Sequence, residues 1–410
     1  MVGAGFAGLS VARALRRSVA SVTLVDRNIY STFQPLLYQV ATGGLNPGDV
    51  SYPIRGFARK HRSRYRHGTV TTIDTERRHV VLADGTTLPW DYLVLATGAT
   101  VNHFGVPGAA EHSLSLYTRT DAISLRDRLM SLLEQRASGA RSGDVTMVVV
   151  GGGATGVEVA GTLAELRSTA LAVAFPEIPP EHVHVVLVEQ APVLLGPFHE
   201  SSQAYSLRAL RARGVDVRLG ATIEAVEDGA VRLAGGERLP ADLTVWAAGV
   251  RVPEGVSASG LPQGRGGRIL VDPDLRVQGH ERIFAVGDVA LTDPPVAQLA
   301  NPALQAGAHA GDQIRALLEG RPTEPFRYRD LGTMATIGRR AAVVELPRAV
   351  RLTGTLAWLA WLALHIVRLL GNRNRVSTLV NLAWRYLAWP GGSGVIVGDV
   401  PDPPRRDGEP

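Results

Sequence analysis

A chain of 410 residues exceeds what one hydrophobic core supports and suits two or three domains of ordinary size. Its 45% hydrophobic and 20% charged residues describe a globular protein with many tight turns, given 45 glycines and 25 prolines, and exclude a largely disordered one. The formal charge of +5 is almost wholly arginine, without a basic run interleaved with aromatics, and cysteine is absent; this sets aside nucleic-acid binding, disulfides, Cys-ligated iron–sulfur clusters and any thiol relay within the chain.

The chain opens on Gly3, Gly5 and Gly8 in the pattern G-x-G-x-x-G, followed by a helical repeat with Leu9, Ala12 and Leu15 inward. Gly3 permits a tight turn, Gly5 lets the backbone approach a pyrophosphate, and Gly8 allows close helix packing, with the helix N-terminus facing the phosphates. Val22 to Asp26 reads as the next strand and ends in an acid placed for adenosine ribose hydroxyls. Only Met1 and Val2 precede Gly3, where such a fold normally spends about five or six residues on its first strand. The reading favours a start site set too late over an unusually short central strand. No export signal is recognised, so the protein is expected in the cytoplasm.

Leu93 to Ala99 reads as an apolar strand ending in a glycine turn. A second glycine motif follows the apolar strand Val148 to Val150, at Gly151, Gly153 and Gly156, with Thr155 and Glu158 entering a helix through Ala160, Leu163 and Leu166. Val183 to Val188 forms its next strand and ends in Glu189, a carboxylate suited to a ribose 2′-hydroxyl and repelling a 2′-phosphate, so this site should prefer NADH to NADPH. Val245 to Gly249 repeats the apolar-strand-to-glycine pattern, and Ile283 to Asp288 places an acid after a late strand. Two sets of glycine turn, helix and strand-terminal acid, the second with its full leading strand, mean two bound nucleotides.

Near the C-terminus, Leu352 to Leu370 is apolar and tryptophan-rich but falls short of about 20 clean residues needed to span a bilayer. Trp358, Trp361, His365 and Arg368 share one helical side, read as a face for lipid headgroups, and Leu356, Leu359, Ala363 and Val367 share another. Arg373 and Arg375 precede a second amphipathic stretch, Val376 to Trp389, with Leu379, Val380, Ala383 and Leu387 along one stripe. The pair suits an anionic membrane surface or, equally, a helical hairpin capping the core or forming a dimer. Beyond about Gly394 the proline-rich, charged tail reads as disordered.

The motifs resemble the FAD-dependent pyridine-nucleotide oxidoreductases, and within them the type II NADH dehydrogenases, which are single-chain NADH:quinone oxidoreductases. Four segments carry the likeness: Phe33 to Gly43, Gly151 to Glu158, Ala300 to Gln305, and Gly371 to Arg375 with its flanking helices. The resemblance implies an α/β fold of two Rossmann-like domains, an FAD domain with an inserted NADH domain, followed by amphipathic helices that attach to a membrane. FAD would be held by Gly3, Gly5, Gly8, Asp26, Val70, Thr97, Gly98, Gly287 and Asp288, and NADH by Gly151, Gly153, Thr155, Gly156, Glu189 and Gly249. Glu158 resembles a family glutamate near nicotinamide and flavin; the plainer alternative is an acid favoured by the helix dipole.

The family's quinone signature, A-Q-x-A-x-Q, here reads Ala300 to Gln305, with Asn301 in place of the first glutamine and Gln305 in the second position. Asparagine keeps the amide but shortens its reach. The expected boundaries are residues 1–115 and 256–340 for the FAD domain, 116–255 for the NADH domain, 341–393 for the membrane-associating helices and 394–410 for the tail. The implied activity is hydride transfer from NADH to FAD and two electrons onward to a membrane quinone, menaquinone or ubiquinone, without proton pumping. The implied place is the cytoplasmic face of the membrane, peripherally bound, with a homodimer among the implied partners. A ferredoxin or rubredoxin reductase and a non-enzymatic NADH-sensing flavoprotein are the rival readings; the missing cysteines remove the thioredoxin, lipoamide and sulfide:quinone reductase branches.

Overall fold

The computed structural model describes residues 1–257 and 259–387. Trp389 and the tail from Gly394, both part of the sequence reading, lie outside them. In chain order the principal helices are α1 (Phe6–Leu15), α2 (Leu37–Ala41), α3 (Arg119–Ala137), α4 (Ala154–Glu165), α5 (Ala300–Leu318), α6 (Gly354–Arg368) and α7 (Asn372–Leu387). The chain divides into two compact units.

The first unit comprises Met1–Thr32, Ser51–Asn102 and Val250–Leu331. Strand Thr23–Asp26 pairs in parallel with Arg64–His67, and Leu93–Leu95 pairs in parallel with Ile283–Ala285. Val2 alone bridges the two pairs, lying parallel to both Val25 and Leu95, so the central strand position is held by a single bridged residue. All three residues of Leu93–Leu95 and of Ile283–Ala285 are buried, as expected where helices cover both faces of a parallel sheet. Helices α1 and α5 pack with almost no side chain between them. A Cβ on Gly307 would run into the carbonyl of Ala7, and one on Gly311 would meet Ala14.

The second unit comprises Phe33–Val50, His103–Gly249 and the chain from Gly332 on. Its parallel sheet runs Leu114–Ser115, Leu243–Trp246, Val145–Val150, Val183–Glu189, Val215–Leu219. The β-branched run of Val145–Val150 is buried at five of its six positions, and such a run has no stable place except in a covered sheet. A meander of Thr333–Gly338, Ala341–Leu346 and Val350–Thr353 follows. Helix α4 lies flush on its first strand because Gly161 offers no Cβ toward the Ile337 carbonyl. Residues 332–340, expected with the FAD domain, therefore pack in the second unit, as does the segment Phe33–Val50.

The two C-terminal helices are placed as expected, but one face is turned the other way. Trp358 and Trp361 of α6 are buried, Trp361 to 1% exposure, with its ring edge-on to Tyr38 at 5.9 Å and stacked on His365 at 3.9 Å. The outward residues are Leu356, Leu359, Leu364 and Val367. The expectation that Trp358, Trp361 and His365 lie at lipid headgroups is thus corrected; of that group only Arg368 is exposed. Indoles carry the largest apolar area on the helix, and here aromatic partners from residues 33–50 and Tyr386 receive them. Helix α7 is held by the buried carboxylate of Asp49, which accepts from the Ser377 hydroxyl at 2.6 Å and the Asn381 amide at 2.7 Å. Its outward face is Val376, Leu379, Val380 and Trp384. Among the described residues no helix is long and apolar enough to cross a membrane.

Candidate functional site: two glycine cradles and a buried acid

In the first unit the loop before α1 has the geometry of an anion cradle. Gly3 sits at φ +99°, where L side chains are strained, against the Ala96 carbonyl. Any Cβ on Gly8 would collide with the Gly3 carbonyl, whereas Gly5, the N-cap of α1, has open space before it. Asp26 accepts hydrogen bonds from the backbone N–H groups of Ala4 and Asn28, each at 2.7 Å. Burial pushes its carboxyl above the ordinary range, while those two bonds and Arg27 pull it back. Thr97 and Gly98 border the cradle just after the strand Leu93–Leu95, Gly98 at φ +68°. The Thr97 hydroxyl is buried with no partner among the described residues.

Gly287 and Asp288 begin a short 3-10 turn, and Gly287, at φ +76°, leaves room for Ala7 and Ala303. The Gln298 amide donates to the Asp288 carbonyl at 3.1 Å. Arg268 approaches Asp288: burial lowers the guanidinium, and the Asp288 charge raises it. Its Nε is buried without a partner among the described residues. Sequence reading missed Arg268, which belongs to no motif. Val70, the implied adenine contact, begins the strand Val70–Asp74 and is half-buried.

The second unit repeats the cradle in detail. Gly151 lies at φ +108° against Ala247 and Ala248, Gly156 approaches the Gly151 carbonyl where no Cβ fits, and Gly153 is the open N-cap of α4. Thr155 is exposed on the first turn. Glu189 accepts from the Gly152 N–H in a short hydrogen bond and from the Ala191 N–H at 2.6 Å. Asp26 and Glu189 thus hold equivalent places, each bonded to the residue after its motif's first glycine. Gly249 lies at φ +155° beside the ring of Phe104, which sequence reading did not single out.

Glu158, on the second turn of α4, is buried and accepts from the Thr336 N–H at 3.4 Å. Burial pushes the carboxyl up to about 8; the Thr336 bond and the Trp361 indole oppose that only partly. A group with that value carries its proton at pH 7 and can give it up. Nearby in the same unit, the Gln39 amide donates to the Tyr38 hydroxyl at 2.9 Å and reaches the Tyr386 hydroxyl at 3.4 Å. His365 donates from Nδ1 to the Trp361 carbonyl at 2.7 Å, and burial lowers its pKa to about 4, so the ring is neutral. Tyr386 was singled out by no sequence pattern, whereas Gln39 lay within the Phe33 to Gly43 segment and His365 on the tryptophan face without either being assigned to this site.

Asn301 and Gln305 lie in the first unit, in the opening turns of α5. They face one side, a helical turn apart. Gln305 is engaged in both directions with the Arg329 backbone, donating at 2.9 Å and accepting at 3.0 Å.

Residues 1–307 match the family model described as pyridine nucleotide-disulphide oxidoreductase, and residues 331–388 match the NDH2 C-terminal domain. A type II NADH:quinone oxidoreductase of Mycobacterium tuberculosis is 38% identical over 407 residues, spanning 94% of this chain and 85% of the relative. One of Haemophilus influenzae is 30% identical over 383 residues, 84% of this chain and 86% of its own. The structure of NDH2 from Plasmodium falciparum in complex with NADH has the same fold, with a TM-score of 0.86 and 19% identity over 95% of this chain and 98% of that one. This chain belongs to the pyridine nucleotide-disulphide oxidoreductase family and, within it, to the type II NADH:quinone oxidoreductases.

Proposed function

We propose that the chain oxidises NADH and reduces a quinone at a membrane it binds peripherally, without moving protons across that membrane, and that its residues divide the work as follows. The single observation that carries the reading is the repeated cradle: two glycine turns, each closed by a carboxylate bonded to the same backbone position. The first fits FAD. Open space at Gly5, the buried unpaired hydroxyl of Thr97 and the positive φ of Gly98 and Gly287 are the features a flavin dinucleotide would use, with Gly3 and Gly8 shaping the turn and Val70 beside the adenine. Asp26 would take the adenosine ribose, and Asp288, with Arg268 next to it, the ribityl chain.

NADH enters the second cradle at Gly151, Gly153, Thr155 and Gly156, with Glu189 on its ribose 2′-hydroxyl and Gly249 leaving room for the rest. When bound, FAD supplies the hydride-accepting and electron-passing chemistry. The protein orients the substrate and excludes water, which is where most of the barrier lowering arises. Glu158 holds a proton in a dry setting and releases it on demand, the role required where a reduced acceptor takes up protons. The amides at Asn301 and Gln305 are the acceptor-side candidates.

The outward faces of α6 and α7, with Arg373 and Arg375 exposed on the first turn of α7, suit the headgroup layer of an anionic bilayer. NADH is a charged cytoplasmic dinucleotide, which favours the cytoplasmic face. The same apolar faces are where a homodimer would form. Our division into FAD, NADH and membrane-associating parts keeps the order of the sequence boundaries but shifts their positions, since residues 33–50, 103–115 and 332–340 group with the second unit and 250–255 with the first.

Anaerobic mixing tests the reading. Addition of NADH to the purified protein bleaches the flavin absorbance, and a quinone then restores it faster than ferredoxin does. A protein that takes up no flavin, or whose reduced flavin is reoxidised by ferredoxin and not by quinone, overturns it.

A further inference from the structure

Phe104 departs twice from what folding alone would select. Its ring is 61% exposed, and its backbone lies at φ +53°, in the left-handed region where a bulky residue is strained. The segment that presents it is nonetheless fixed. The His103 ring packs 5.6 Å from the buried Trp246 indole, the Val106 N–H donates to the His103 carbonyl at 3.0 Å, and the Pro107 carbonyl accepts from the Val226 N–H at 2.9 Å. Gly108, at φ +70°, fits where any Cβ would strike the Val226 carbonyl. A strained, exposed aromatic held in place by its neighbours is characteristic of positions that meet a ligand.

The ring lies beside Gly249. A Cβ there would come within 2.7 Å of the Phe104 Cζ, so only a glycine lets the ring stand where it does. Sheet order fixes which half of a dinucleotide meets it. Glu189 ends the strand on one side of Val145–Val150, and Leu243–Trp246, which leads to Gly249, is the neighbour on the other side. With the pyrophosphate at the start of α4 and the adenosine ribose on Glu189, the remainder of the molecule crosses the end of Leu243–Trp246. We propose that Phe104 is the apolar wall that receives the nicotinamide riboside half of NADH and fixes its approach. Dihydronicotinamide is flat and uncharged, so it gains by covering an exposed phenyl face and leaves that face uncovered only in the free protein. The assignment rests on the second cradle being the NADH site, and it adds a recognising side chain that lies outside both glycine motifs.

The test uses the full-length, FAD-loaded protein without oxygen, with NADH as reductant. The competitor is ADP, which keeps the adenosine and the pyrophosphate and lacks the nicotinamide riboside. In Phe104→Ala the NADH concentration that half-saturates flavin reduction rises about tenfold, while the inhibition constant of ADP stays within about twofold of the parent's. Phe104→Tyr, which keeps the ring, retains parental values for both. Phe104→Gly repeats the loss for NADH and melts no lower than the parent, because glycine accepts the left-handed backbone; it serves if Phe104→Ala fails to fold. Equal losses for NADH and ADP, or a Phe104→Gly protein that melts well below the parent, assign the ring to packing and overturn the proposal. So does an unchanged half-saturation in Phe104→Ala. A parent that binds neither NADH nor ADP sinks the reading of the cradle, and the wall with it, whereas a parent that binds both leaves the variants to judge Phe104 alone.

Discussion

The Glu158 carboxyl and the Thr336 backbone N–H, 178 positions apart in sequence, face each other at 3.4 Å inside the second unit. That long contact is the only hydrogen bond of full geometry found for the acid among the described residues, too little to offset its removal from water. Its proton affinity is therefore set by burial. The ordinary value of 4.5 rises to about 8 in the folded protein, so the folded state binds the proton more tightly than the unfolded one. This contribution to stability is complete below about pH 4.5 and is lost as pH rises toward 8.

Glu158→Gln should remove that dependence. Thermal melts of the two proteins coincide near pH 5, and the variant melts higher at pH 9. If the proton is also used in the reaction, quinone turnover in Glu158→Gln falls by about 100-fold, the lower end of what acid–base groups contribute. The decline of parental turnover above pH 8 then disappears from the variant's profile. Parallel melting curves at all pH values would contradict the buried-acid account.

Replacing Glu189 by Gln removes the charge and keeps one acceptor oxygen where the Gly152 and Ala191 N–H groups now bond to two separate carboxylate oxygens. A 2′-phosphate is then no longer repelled. The ratio of kcat/KM for NADH to that for NADPH should drop by about tenfold, a change of 1.4 kcal/mol in relative transition-state binding. An unchanged ratio places the ribose elsewhere.

Charging the outward face of the terminal helices should release the protein from membranes without unfolding it. Leu359→Glu combined with Val380→Glu alters two exposed positions, so the melting temperature should shift little. Sedimentation with anionic vesicles reports the loss. Retention equal to that of the parent would show that these helices do not carry attachment.

Asp49→Ala should cost stability instead. It leaves Ser377 and Asn381 without their acceptor in a partly buried setting, worth about 1–3 kcal/mol in chemical denaturation. An unperturbed midpoint would mean that α7 is held by its apolar contacts alone.

What the sequence disclosed follows from the range of the interactions involved. Gly3, Gly8, Gly151 and Gly156 were legible because each answers a local demand, a positive φ or a backbone approach that no Cβ tolerates. Asp26 and Glu189 were legible because strand ends fix their places. Arg268 was not: its approach to Asp288 brings together turns 20 residues apart that share no motif. Likewise nothing local signals that Asp49 bonds with α7 or that Thr336 meets Glu158. The amphipathic period of α6 was correct, but its polarity was inverted. Indole is both the largest apolar side chain and a hydrogen-bond donor, so its presence marks a special face without saying whether that face looks inward.

That inward turn has an optical corollary. Trp90 is half-covered and Trp246, Trp358 and Trp361 are enclosed, whereas Trp384 stands 67% exposed on α7. Ultraviolet emission from the enclosed indoles is insulated from whatever approaches the terminal helices. Trp384 sits where a lipid layer would change its surroundings, giving the protein a built-in fluorophore whose spectrum, by difference against Trp384→Phe, records each arrival and departure without any attached dye.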